Sequence, residues 1–239
     1  MYKINEIFLS IQGEGFNVGS LSVFVRFSGC NLSCSFCDTE HEESADMALW
    51  QVICAIQSVL KYNLPEPHFC GFPGLKCIFT GGEPLMQLDS EIVEAVIDAG
   101  LTPCVETNGT IQGYENKKML SALELCDDVT ISPKSNSVVN KEVLRRATCL
   151  KVLAPVEDGL AIRIPGYVED LGKLRPGYAA RRLTEKKLII QPITPKDGMH
   201  SSEFSENCSE ALLLALRWKC RYGENWKVIP QTHRIMGLK

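Results

Sequence analysis

Short apolar runs end abruptly in polar or glycine-rich residues along this chain, and helix-period segments fill the spaces between them. Ser22–Phe27 is rich in β-branched and aromatic residues, and Gly29 stops it. Cys77–Thr80 stops at Gly81-Gly82, and Pro103–Thr107, Val129–Ser132, Leu150–Leu153, Leu188–Gln191 and Trp226–Ile229 read as further strands. Met47–Lys61 carries apolar residues at 49, 52, 53, 56, 59 and 60, a helical stripe. Asp89 is placed to cap a helix through Ala99, with Gly100 beyond its end. Helices are also expected at about 115–126, Lys141–Ala147 and Glu206–Tyr222. Strands alternating with helices predict a parallel α/β sheet joined by crossovers. About six strands after the first fall short of the eight that close a TIM barrel. The expectation is a partial, TIM-like barrel in one domain over residues 1–239, with a loop at 63–75 and a peripheral insertion at about 155–187.

In such folds sites form at the carboxyl ends of the strands. Gly29 and a cysteine loop follow Phe27, Thr80-Gly81-Gly82-Glu83-Pro84 follows Phe79, and Glu106-Thr107-Asn108-Gly109 follows Val105. Ser132-Pro133-Lys134, Gln191-Pro192 and Pro230-Gln231-Thr232-His233 close the series. Six chemically equipped ends on one edge of one sheet point to an enzyme.

Charge narrows the class. A net charge of −4 gives no case for wrapping nucleic acid or coating an anionic membrane. No apolar run approaches the roughly 20 residues of a membrane span. The start, MYKINEIFLSIQGEG, shows no signal-peptide apolar core, so the cytoplasm is the expected compartment. Eleven cysteines, an odd number, argue against a disulfide framework.

Most of these cysteines lie in apolar stretches and read as small buried hydrophobes. The segment CNLSCSFCDT does not. Its thiols fall at 30, 34 and 37, among Gly29, Asn31, Ser33 and Ser35, which favour loop backbone over helix. Three thiolates on one loop suit zinc or an iron–sulfur cluster. Structural zinc normally closes four ligands, and the nearest further candidates are Cys54, inside an expected helix, and His41. A four-iron cluster on three cysteines keeps one iron open to a small molecule.

The C-x3-C-x2-C spacing, with Phe36 before the third cysteine, resembles the radical S-adenosylmethionine enzymes. Gly81-Gly82-Glu83-Pro84 resembles their element for the methionine amine, with Glu83 as acceptor of the ammonium. The resemblance implies that Cys30, Cys34 and Cys37 hold a 4Fe-4S cluster whose open iron chelates S-adenosylmethionine. Reduction then releases a 5′-deoxyadenosyl radical.

The amino terminus adds Gln12, Glu14 and Arg26. Gln offers a donor and an acceptor and Glu accepts, so together they suit a guanidine-like edge with its carbonyl. Arg26 suits a carboxylate. IQGEG, FVRFSGCNLSCSFCDT, FTGGEP, VETNG, SPK, QP and PQTHRIMGLK together resemble the 7-carboxy-7-deazaguanine synthases, over the whole chain except about 155–187. The resemblance implies a radical lyase of queuosine and 7-deazapurine biosynthesis. Its reaction contracts 6-carboxy-5,6,7,8-tetrahydropterin to 7-carboxy-7-deazaguanine with loss of ammonia, regenerating S-adenosylmethionine and assisted by magnesium.

Roles follow by position. Thr39 matches the magnesium contact. Ile11, Gln12, Gly13, Glu14, Arg26, Thr80 and His233 match the substrate wall, joined by the carboxylate of Lys239. Phe36, Gly82, Glu83, Asn108, Ser132, Pro133, Lys134, Gln191, Pro192, Ile193 and Thr194 match the cosubstrate site. The resemblance also implies a flavodoxin- or ferredoxin-like reductant and a homodimer. Two departures stand out: Lys239 occupies a terminal position that is commonly proline, and CDTEHEESAD lacks the aromatic residues expected soon after CDT. Two other readings remain at this point. A small radical activase acting on a protein partner shares the cysteine spacing but leaves IQGEG and QTH unexplained. A non-catalytic zinc or iron–sulfur module leaves GGEP, ETNG and SPK unexplained.

Overall fold

The computed structural model describes residues 1–40, 42–63, 74–112, 117–135, 137–171, 187–195 and 197–238. One nine-stranded sheet runs through it in the order β3-β1-β2-β4-β5-β6-β7-β8-β9. The strands are β1 (Tyr2–Ile11), β2 (Leu21–Phe27), β3 (Ala45–Met47), β4 (Lys76–Gly81), β5 (Thr102–Thr107), β6 (Asp128–Ile131), β7 (Cys149–Ala154), β8 (Lys187–Pro192) and β9 (Trp226–Val228). From β2 to β9 every neighbouring pair is parallel, whereas β1 runs antiparallel to both β2 and β3. The sheet does not close, as the strand count predicts.

The helices are α1 (Leu49–Asn63), α2 (Ser90–Asp98), α3 (Lys117–Leu125), α4 (Lys141–Arg146), α5 (Asp158–Ala161), α6 (Ile164–Asp170), α7 (Ser202–Tyr222) and α8 (Thr232–Ile235). α1 buries Val52, Ile56 and Leu60, the stripe visible in the sequence. Asp89 caps α2 by accepting from the Ile92 N–H at 3.2 Å. α7 begins four residues earlier than expected because Ser201 supplies a cap, accepting from the Phe204 N–H at 3.1 Å.

The parallel strands bury an apolar outer face under the helices, while their inner face mixes apolar residues with Arg26, Thr80, Glu106 and Lys151. Val23, Val25, Phe27, Cys77 and Phe79 pack outward into the main core under the helices. Phe24, Ile78 and Cys104 point inward, joined by Phe8 of β1, whose ring stacks on Phe24 at 5.0 Å. Residues 64–73 of the expected loop, and 172–186 of the expected insertion, lie outside the described residues. Within 155–171, α5 and α6 send Leu160, Ile164, Tyr167, Val168 and Leu171 into the main core.

Candidate active site

The cysteine loop sits directly after β2, and a backbone clasp fastens it to the end of β4. Gly82 N–H donates to the Phe27 carbonyl at 2.9 Å, and Glu83 N–H donates to the Gly29 carbonyl at 2.8 Å. A Cβ on Gly82 would lie 1.9 Å from the Gly29 carbonyl oxygen, so only glycine permits this approach. Gly81 has φ 114°, a conformation that favours glycine, and a Cβ there would lie 2.3 Å from the Phe27 carbonyl oxygen.

Glu83 has a different place from the one expected. It is fully buried, outside the cavity wall. Its carboxylate accepts from the Thr107 hydroxyl at 2.5 Å, the Asn108 N–H at 2.8 Å and the Leu85 N–H at 3.0 Å. Burial pushes its pKa up against these donors. Glu83 therefore ties the end of β5 to the turn after β4, and its oxygens are engaged before any ammonium arrives.

A cavity of about 260 Å³ opens at the carboxyl ends of the strands. Cys30, Cys34, Cys37, Phe36 and Thr39 line one wall. Gly82, Asn108, Ser132, Lys134, Gln191, Ile193 and Thr194 line another. Lys134 Nζ donates to Ser132 Oγ at 2.9 Å and lies 5.8 Å from the centre of the Phe36 ring. Pro133 and Pro192 are buried behind the wall and fix its backbone. Burial pushes the Cys30 and Cys34 thiols up, so cluster binding there would displace protons.

The residues fit the implied cluster and cosubstrate. Three thiols share the cavity, and among the described residues no three His, Cys, Asp or Glu side chains converge as on a single metal ion. A four-iron cluster does not require convergence, because each thiolate ligates its own iron. Gln191 Oε1 and Thr194 Oγ1, on residues that line the same cavity, are buried without a hydrogen-bond partner among the described residues. Unpaired buried polar atoms facing a cavity are what a polar ligand would satisfy.

The IQGEG segment reaches this cavity from the opposite end of the barrel. Ile11 pairs with Leu21 at the start of β2, so residues 12–20 begin at the amino-terminal ends of the parallel strands. Asn17 Nδ2 donates to Asp128 Oδ2 at 3.1 Å, on the first residue of β6. From there Gln12 and Glu14 form the cavity floor. Gln12 Nε2 donates to Glu106 Oε1 at 2.9 Å, and its own carbonyl accepts from the Glu14 N–H at 3.0 Å. Glu14 accepts from Lys151 Nζ and from Gln231 Nε2. Lys151 also lies 3.9 Å from Glu106. Burial alone would raise the Glu14 carboxyl, but Lys151 and Gln231 bring it down to about 2. Glu106 is pushed up by burial and by Glu14.

The amide of Gln12, expected to read a ligand, is thus engaged within the floor. Glu106, Lys151 and Gln231 join the site beyond the residues singled out from the sequence. Glu106 and Gln231 stand in strand-end segments already conspicuous in the chain, and Lys151 has a signal of its own, a cation inside the apolar run of β7.

Arg26, Ile11 and Thr80 line the cavity. Arg26 is not unpartnered: it pairs with Glu6 at 2.7 Å and lies 5.1 Å from the centre of the Phe8 ring. Gly13 stands behind the wall, where the His233 ring fills the space of a side chain. Burial pushes the His233 pKa down, which favours the neutral imidazole. Asp38, next to Thr39, accepts from Gln231 at 3.0 Å and Arg234 at 3.1 Å, joining the cysteine loop to the terminal segment. Lys239 and His41 lie outside the described residues.

No protein-family model matches the chain. It is similar to 7-carboxy-7-deazaguanine synthase of Bradyrhizobium diazoefficiens, at 30% identity over 249 residues that cover 100% of this chain and 99% of that protein. A second relative, 7-carboxy-7-deazaguanine synthase of Bacteroides thetaiotaomicron, is 41% identical over 134 residues, 56% of this chain and 62% of that one. The fold is that of the crystal structure of QueE from Escherichia coli, with a TM-score of 0.60 and 21% identity over 95% of this chain and 93% of that one.

Proposed function

The chain belongs to the 7-carboxy-7-deazaguanine synthase family, and on that premise we propose that it contracts 6-carboxy-5,6,7,8-tetrahydropterin to 7-carboxy-7-deazaguanine with loss of ammonia. One observation carries this reading: the three loop cysteines and a floor of paired carboxylates face the same cavity. That arrangement brings radical chemistry and recognition of a nitrogen-rich ring within one small volume. The activase alternative is not favoured, since a relative matched from end to end bears the synthase name. Ammonia is the only other product, so the reaction is redox-neutral overall and S-adenosylmethionine can be regenerated.

Cys30, Cys34 and Cys37 would hold a 4Fe-4S cluster. Gly82, Asn108, Ser132, Lys134, Gln191, Ile193 and Thr194 would hold S-adenosylmethionine, with the unpaired oxygens of Gln191 and Thr194 as acceptors. Once bound, these groups supply the one-electron, hydrogen-abstracting chemistry that side chains lack. Thr39 would place a magnesium ion beside the substrate, the ion keeping waters as a hard cation does. Glu14 and Glu106 accept from the guanidine-like edge of the pterin. Arg26, sharing its guanidinium with Glu6, meets the substrate carboxylate, and neutral His233 packs behind it. The expected reductant of flavodoxin or ferredoxin type and the homodimer remain part of this proposal. Among the described residues no helix is long and apolar enough to cross a membrane.

The test is anaerobic. Reconstituted protein is given dithionite, S-adenosylmethionine, magnesium and the pterin, and products are followed by mass spectrometry. 7-Carboxy-7-deazaguanine without stoichiometric loss of S-adenosylmethionine is the expected result. Cleavage to 5′-deoxyadenosine with the pterin untouched would keep the radical class and reject the substrate.

A further inference from the structure

Lys151 lies in the middle of β7, an otherwise apolar strand, and its side chain is only 6% exposed. It faces two carboxylates from separate parts of the chain. Glu14 comes from the β1–β2 connection and contacts its ammonium directly; Glu106 comes from β5 and lies 3.9 Å away. Gln231 donates to the other oxygen of Glu14, and Gln12 donates to the same Glu106 oxygen that lies nearest Lys151. We propose that Lys151 is a positioning residue for the pterin: held between Glu14 and Glu106, its ammonium fixes both side chains as the acceptors that read the guanidine-like edge of the substrate.

The inference rests on the pterin reading and adds a requirement to it. Two buried carboxylates close together do not both stay ionised without a cation between them. With one protonated, an acceptor becomes a donor and faces the N–H groups of the substrate. A site built to hydrogen-bond its ligand discriminates strongly against such mismatches. Lys151, itself in the cavity lining, keeps the acceptor pattern through its two carboxylate partners.

The surrounding charges support this arrangement. The other groups acting on the pair are Lys134 and His233 from the cavity wall, Asp128 below, and Cys149 on the same strand. Burial would lower the Lys151 pKa, but Glu106 and Glu14 raise it above its ordinary value. With the ammonium removed, the same burial would push both carboxyls upward.

Lys151→Met and Lys151→Arg, compared with wild type as cluster-loaded enzymes, test the proposal. At about pH 6, Lys151→Met is expected to raise the pterin KM at least ~10-fold while kcat at saturating pterin stays within about threefold. That KM is expected to fall as pH rises toward about 9, whereas the wild-type KM lacks this recovery and Lys151→Arg restores most of the affinity. Side-chain carboxyl NMR of labelled Glu, assigned with Glu14→Gln, reads the ionisation of Glu14 without substrate or cluster. It is expected to show Glu14 ionised at about pH 5 in wild type and protonated in Lys151→Met. If Lys151→Met does not fold, Lys151→Arg and the wild-type carboxyl titration carry the test. An unchanged KM and pH profile in Lys151→Met, or a wild-type Glu14 that titrates at its ordinary pH, overturns the inference while wild-type pterin turnover stands. Wild type that cleaves S-adenosylmethionine and leaves the pterin untouched overturns the underlying reading, and the inference with it.

Discussion

Thr232 donates its backbone N–H and its hydroxyl to the Gly13 carbonyl, at 2.9 and 3.1 Å. These contacts join residues 219 positions apart and tie the β1–β2 connection to the segment that follows β9. The floor and the terminal segment therefore form one structure, and a change at Gly13 is felt at His233.

Gly13→Ala follows from that link. Its Cβ would stand 1.9 Å from His233 Nδ1 and 2.6 Å from the His233 backbone nitrogen. The backbone atom cannot rotate away, so the terminal segment must move. We expect a loss of roughly 1–3 kcal/mol of stability in urea titrations, the usual range for overpacking. Pterin turnover should fall further than S-adenosylmethionine cleavage, because the displaced group lies on the substrate wall.

Cys34→Ala removes one of three thiols on a partly exposed loop that the core does not need for packing. The variant should keep the wild-type circular dichroism spectrum yet fail to hold a four-iron cluster, read as iron content and visible absorbance. Full cluster loading and retained S-adenosylmethionine cleavage would remove Cys34 from the ligand set.

Glu83→Gln tests the buried carboxylate as a brace. All three of its partners donate to it, so one partner would meet the new amide NH2. A donor facing a donor in a buried site costs about 1–3 kcal/mol. Chemical denaturation should show that loss. Calorimetry should show weakened S-adenosylmethionine binding, because Thr107 and Asn108 shift with it. Unchanged stability and unchanged binding would mean that Glu83 is protonated in the native protein.

Much of this architecture is legible in the chain, and the reasons differ by element. α1 and α2 are fixed by local periodicity and by the Asp89 cap, so their ends lie close to those expected. The parallel strands are apolar runs broken by polar ends, which survives translation into three dimensions. β1 is not among the strands expected from the sequence, because its pairing with β2 and β3 is a tertiary fact. The same applies to Glu14. Its proximity to Lys151 arises where a turn from one end of the barrel meets the middle of a strand 137 residues away. Glu83 by resemblance and Gln12 by residue type are expected to read ligands, yet their hydrogen bonds are taken up by partners distant in the chain.

Arg26→Ala probes the carboxylate end of the substrate. Arg26 lines the cavity while pairing with Glu6 at 2.7 Å, both partly exposed. A solvent-exposed pair of this kind contributes little stability, on the order of 0–1 kcal/mol. We expect a melting temperature close to wild type, a pterin KM raised about tenfold or more, and unchanged uncoupled cleavage of S-adenosylmethionine. Equal losses in both reactions would make Arg26 a cofactor or packing residue instead.

The Glu14 carboxyl sets a pH dependence of stability that can be separated from catalysis. Its pKa is about 2 in the folded chain, below the ordinary 4.5. A carboxyl depressed by folding stabilises the native state fully above its unfolded pKa and loses that contribution as pH falls through the folded value. Wild-type stability should therefore decline between about pH 5 and pH 2, with Glu14 as one contributor. Asp128, also depressed through Lys187 and Thr148, acts in the same direction at the opposite end of the barrel. Glu14→Gln should flatten the decline and lower stability at neutral pH, since Lys151 then lacks its closest anion. Asp128→Asn should flatten it as well, since its carboxyl is held down by Lys187 and Thr148. Denaturant titrations across that range give the slopes. A Glu14→Gln slope equal to wild type would mean that the Glu14 carboxyl titrates alike in the folded and unfolded chain.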